Sequence, residues 1–133
     1  MSLSDNALLE QFEAKLLPPT ELNHLSHLRI TWLYLLRLEL SEVIEKICTG
    51  TKEYAENLGE FEKFHRTVTE ATARIMGSRM SRRKSVNFEE FLHHNRDLVD
   101  DLRSLIGQHY SSNIIESNYS KKHFILPGKR KIA

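Results

Sequence analysis

The sequence predicts an all-α fold, a compact single-domain bundle of five or six helices over residues 1–110 with an irregular C-terminal tail over 111–133. Two observations carry that expectation. Apolar residues recur at three- and four-residue spacing from Leu8 to Ile106, and residues that favour helix caps stand where several of these patterns begin. No βαβ alternation, internal repeat or low-complexity segment interrupts them. A chain of 133 residues with 40% hydrophobic and 28% charged residues is composed like a globular domain. At this length about two-thirds of the surface is buried on folding, which is enough for one core.

Ser4 and Asp5 can cap a first helix carrying Leu8, Leu9, Phe12, Leu16 and Leu17, which Pro18 and Pro19 then stop. From about Glu21 to Leu38 the pattern is apolar on most sides, as expected of a central helix packed by neighbours around much of its circumference. Ser41 can cap a third, amphipathic helix through Val43, Ile44, Ile47, Tyr54 and Leu58; Gly50 and Thr51 weaken its middle and Gly59 ends it. A fourth runs from about Phe61 to Met80, with Phe61, Phe64, Val68, Ala71 and Ile75 at spacings of 3, 4, 3 and 4 tracing one buried face. Asn87, with Glu90 three residues on, resembles a capping box, and Asn95 can cap a last helix through Leu98, Val99, Leu102, Leu105 and Ile106. Beyond Gly107 the periodicity fades, and Phe124 to Pro127 would dock the tail as a short anchor.

Charge and cysteine content narrow the partners. Nineteen Lys and Arg against eighteen Asp and Glu give a net charge of +1, so there is no general attraction to nucleic acid or to an acidic membrane. Cys48 is the single cysteine and has no partner for a disulfide or a zinc ribbon, which is compatible with a reducing cytoplasm. The polar N-terminus does not resemble a signal peptide and no apolar run is long enough to span a bilayer, so the expected location is cytoplasmic.

One polar constellation points to chemistry. His24 and His27 lie three apart and share a helix face; His65, Thr69, Thr72 and Met76 form a row beside the apolar stripe of the fourth helix. Glu13 precedes the Pro-Pro turn that leads back to His24, so a tight helical hairpin would bring its carboxylate to the two imidazoles. Three imidazoles and a carboxylate suit a divalent metal such as Fe, Mn or Zn, with Arg29 and Thr69 orienting ligands around it. A metal position left open there would activate water or dioxygen. The competing reading is structural. A histidine in a first helical turn or beside a core stripe is commonly satisfied by a backbone carbonyl or a hydroxyl, and His-x-x-His alone is a weak motif. On that reading the chain is a non-catalytic interaction or scaffold protein, as a homodimer burying excess apolar surface.

Phe12-Glu13, Leu17-Pro18-Pro19, His24-x-x-His27-Leu28-Arg29, Trp32-Leu33-Tyr34-Leu35 and Phe64-His65-x-Thr67-x-Thr69 together resemble a family of small, uncharacterised bacterial helical proteins. The resemblance covers roughly the first half of the chain. Phe64 departs from the family's Tyr, and the loop from Ser81 to Ser85 departs from its pattern. The family has no established activity, so the likeness draws interest to Glu13, His24, His27, Arg29, His65 and Thr69 without implying a reaction.

Other signals are weaker. His93 and His94 are adjacent and point about 100° apart on a helix, a poor ligand pair. Arg79, Arg82, Arg83 and Lys84 form a basic knot, echoed by Lys121, Lys122, Lys129, Arg130 and Lys131 in the tail. Nucleic-acid binding would join these patches electrostatically, but no helix-turn-helix, RNP-type or zinc-finger pattern accompanies them, and basic loops are usually solvated. No nucleophile elbow, P-loop or Gly-rich dinucleotide turn is present.

Overall fold

The structure is a computed structural model that describes residues 3–132. Those residues form nine α-helices and no strand: α1 (Asp5–Glu13), α2 (His24–Arg37), α3 (Leu40–Asn57), α4 (Arg66–Arg82), α5 (Phe88–His94), α6 (Arg96–Asp100), α7 (Leu102–Gly107), α8 (Ser112–Glu116) and α9 (Asn118–Lys122). The all-α class is as the periodicity predicts. The helix count exceeds five or six because 96–107 breaks into two short helices at Asp101 and 112–122 carries two more. No helix among the described residues is long and apolar enough to cross a membrane.

Local chemistry sets the boundaries. Ser4 Oγ accepts the Ala7 N–H at 3.2 Å, and Asn23 forms a reciprocal capping box with Ser26, so α2 starts at His24 rather than Glu21. Ser41 is not a cap: α3 begins one residue before it, with Glu39 at the N-cap and no side-chain bond. Residues Phe61–Lys63 make a separate 3-10 turn, and α4 begins only after His65, whose ring is its cap. Asn87 caps α5 through the Glu90 N–H at 2.9 Å. Asn95 stands at the N-cap of α6, but its side chain bonds the Phe91 carbonyl and Arg79 instead.

The central helix is α4, not α2 as its apolar content suggests. α4 packs against α2, α3, α7 and α9, and buries Thr67, Thr69, Glu70, Ala71, Thr72, Ala73, Ile75 and Met76, positions that run around its circumference. Small side chains let neighbours approach closely, and Thr72 returns its hydroxyl to the Val68 carbonyl at 2.7 Å, so its polar atom needs no outside partner. Glu70 is buried and ion-paired on both sides, Oε1 to Arg66 at 2.8 Å and Oε2 to Arg74 at 2.9 Å, one helical turn away in each direction. By contrast α2 leaves Leu25 and Leu36 exposed.

At the other end of the core Phe12 is the hub. Its ring stacks on Tyr54 at 5.7 Å, meets Tyr34 edge-on at 6.5 Å and lies over Gly50 of α3. A Cβ at Gly50 would come within 2.5 Å of that ring, which explains why a poor helix former sits in the middle of α3. Gly50→Ala is therefore expected to destabilise the protein by about 1–3 kcal/mol through overpacking, despite a gain of about 1 kcal/mol in helix propensity. Urea denaturation measures it, and a variant as stable as the parent would show that Phe12 does not depend on this gap.

Candidate functional site

The structure disperses the predicted constellation. Glu13 accepts a hydrogen bond from Tyr34 Oη at 2.8 Å and pairs with Lys46 of α3 at 3.5 Å. Tyr34 lies ten residues beyond His24 on α2, about 15 Å along the axis, so the hairpin delivers Glu13 toward the far end of α2. α1 is joined to α2 at several levels: Arg29 grips Asp5 at 2.5 Å and the Leu3 carbonyl at 2.9 Å, while Arg37 reaches Asn6 at 3.0 Å. Arg29 thus holds the approach to α1 and its first residue, and Thr69 is buried in α4.

His24 and His27 do stay together at the start of α2. His24 Nε2–H donates to the Leu98 carbonyl of α6 at 2.8 Å. His27 is half-buried, and burial first, with the neighbouring His24 second, pushes its pKa down to about 4. His65 goes elsewhere. Its Nδ1 accepts the Val68 N–H at 3.2 Å as the cap of α4, and its Nε2–H donates to the Ile115 carbonyl of α8 at 2.7 Å. Among the described residues no three His, Cys, Asp or Glu side chains are grouped so as to hold a metal ion.

The motif at the start of α4 works as a clasp for the C-terminal segment. Thr67, two residues after His65 and fully buried, donates its hydroxyl to the His123 carbonyl at 2.8 Å and accepts the Ile125 N–H at 3.2 Å. Tyr110 Oη donates to the Ile125 carbonyl at 2.6 Å, and burial pushes that phenol's pKa up to about 12. Farther along, the buried His109 donates Nδ1–H to the Arg130 carbonyl at 2.6 Å, and the Lys129 N–H returns to the His109 carbonyl at 3.0 Å. Around the anchor, Phe124, Ile125 and Pro127 are half-buried and Leu126 is exposed.

Glu70, His109 and Ser120 are buried polar residues that sequence reasoning passes over, and Thr67, quoted only within the His65-x-Thr67-x-Thr69 motif, is buried as well. Spacing offered one signal: Arg66, Glu70 and Arg74 lie four apart, the arrangement of a helical ion triad. Comparison with protein-family models, with curated proteins and with solved structures finds no match to this chain.

The His27 ring makes stability depend on pH. In the unfolded chain it takes up a proton near its ordinary value of 6.5, whereas in the folded chain it stays neutral down to about 4. The unfolded state therefore binds more protons across that window, and stability falls as pH is lowered through it. Melting temperatures at pH 7 and pH 4.5 should drop less in His27→Gln than in the parent protein; equal drops would mean that His27 protonates freely in the fold.

Proposed function

We propose that this chain is a non-catalytic helical binding module whose histidines belong to a structural polar network. The observation that carries this reading is His65, where both ring nitrogens are already engaged, one by the Val68 N–H and one by the Ile115 carbonyl. A divalent ion of the Fe, Mn or Zn kind needs a free nitrogen lone pair, so binding at His65 would break the cap of α4 or reverse the tautomer that holds α8. Glu13, already bonded to Tyr34 and Lys46, supports the same reading. So does Cys48, a buried thiol whose pKa is pushed up to about 11, chiefly by burial, and which is therefore a poor nucleophile at neutral pH.

The test is metal loading combined with stability. Tag-free protein incubated with Fe(II), Mn(II) or Zn(II) and desalted is expected to retain far less than one metal per chain. His65→Ala is expected to lose about 1–3 kcal/mol, because it removes a cap and leaves a carbonyl unpaired. His65→Asn should recover part of that loss through its good N-cap propensity. Near-stoichiometric metal that disappears in His65→Ala, with unchanged melting, would contradict the proposal and restore the metal-site reading.

A further inference from the structure

The basic knot of α4 and the basic end of the C-terminal segment, separated by almost fifty residues, meet in space. They line an open cleft of about 690 Å³, to which the turn around Asn95 contributes a third side. Asp97 is the only carboxylate lining it among the described residues, and Arg79 neutralises that group with a bidentate pair at 2.6 and 2.7 Å. The same pair, more than any other interaction, holds the Asp97 carboxyl below the usual range. Arg96, also on the lining, is paired with Asp100 at 3.0 Å.

Four lining cations are left without a carboxylate partner among the described residues: Arg82, Arg83, Arg130 and Lys131. In a chain of net charge +1 this is a local concentration of positive charge around one opening, and like charges so placed gain when an anion enters. The backbone that carries one of the four, Arg130, is also held in place. The Arg130 carbonyl is held by the buried His109, the Lys129 N–H by the His109 carbonyl, and the Lys129 ammonium by the Gly107 carbonyl at 2.8 Å.

We propose that this cleft binds a small molecule bearing at least two phosphate groups. Guanidinium groups match phosphate oxygens with paired donors, and three of the four unpaired cations are arginines. The volume falls in the range of about 300–1,000 Å³ usual for small-ligand sites. A pyrophosphate group carries about three negative charges at neutral pH, comparable to the four cations that face it. Single-stranded nucleic acid is the less fitting occupant, because no Phe, Tyr or Trp among the described residues lines the cleft as a platform for stacked bases. The proposal rests on the binding-module reading for its biological sense, but on neither nitrogen of His65, so the two fail separately.

Isothermal titration of the full chain with inorganic pyrophosphate, tripolyphosphate and orthophosphate is the test. Pyrophosphate and tripolyphosphate are expected to bind more tightly than orthophosphate and to weaken as salt is raised. Arg83→Ala/Arg130→Ala should lose about tenfold or more in affinity with unchanged melting. Lys52→Ala/Lys122→Ala, which removes the same charge from exposed positions outside the cleft, should bind as the parent does. Absence of binding, or equal losses in both double variants, would overturn the proposal. Affinity for a single-stranded oligonucleotide that exceeds that for tripolyphosphate and grows with its length would overturn it in favour of a nucleic-acid surface. Failure here would leave the metal-loading result on His65 untouched.

Discussion

The docking of the C-terminal segment turns on a single hydroxyl. Thr67 Oγ1 sits in the first turn of α4, fully buried, and joins the His123 carbonyl and the Ile125 N–H at once. Both backbone groups belong to a segment with little periodicity of its own, so without this partner they would be desolvated and unpaired, a cost of about 1–3 kcal/mol each. His65 beside it and Tyr110 opposite extend the same hold to Ile115 and Ile125. The C-terminal segment is therefore a docked arm. Its end, fixed by His109, brings Arg130 and Lys131 to the end of α4, where Arg82 closes the helix and Arg83 follows it.

That arrangement needs α4 to be central, and its composition makes this workable. A helix of Thr, Ala and paired charges presents the Thr67 hydroxyl to clasp an arm on one side and allows α3 close approach on another. Glu70, held between Arg66 and Arg74, keeps its charge satisfied within the helix itself and needs no partner from a neighbouring element.

What the sequence shows about this fold follows from the range of the interactions involved. Apolar spacing and the caps at Ser4 and Asn87 are local, and both predict the structure well. Centrality is not local: α2 has the apolar residues of a core helix yet exposes Leu25 and Leu36, while α4 looks amphipathic and is buried around much of its circumference. The helices α8 and α9 escape notice because they are five residues each and rest on tertiary hydrogen bonds. For the polar residues the limit is sharper. His24 and His65 bond the carbonyls of Leu98 and Ile115, and a backbone carbonyl, present in every residue, leaves no mark in a sequence. The pairing of His24 with His27 at one helix start is legible because three-residue spacing fixes it; the destination of Glu13 is not, because it depends on how α1 crosses α2. The two basic patches are likewise plain in the sequence, but their meeting depends on the docked arm.

The most direct test of this account is hydrogen–deuterium exchange in Thr67→Val, which keeps the shape of the side chain and removes its hydroxyl. If the clasp organises the arm, amides over 123–132 lose protection, Ile125 foremost, while those of α3 exchange as in the parent. Unchanged protection of the arm, or a uniform loss across the whole chain, would contradict it.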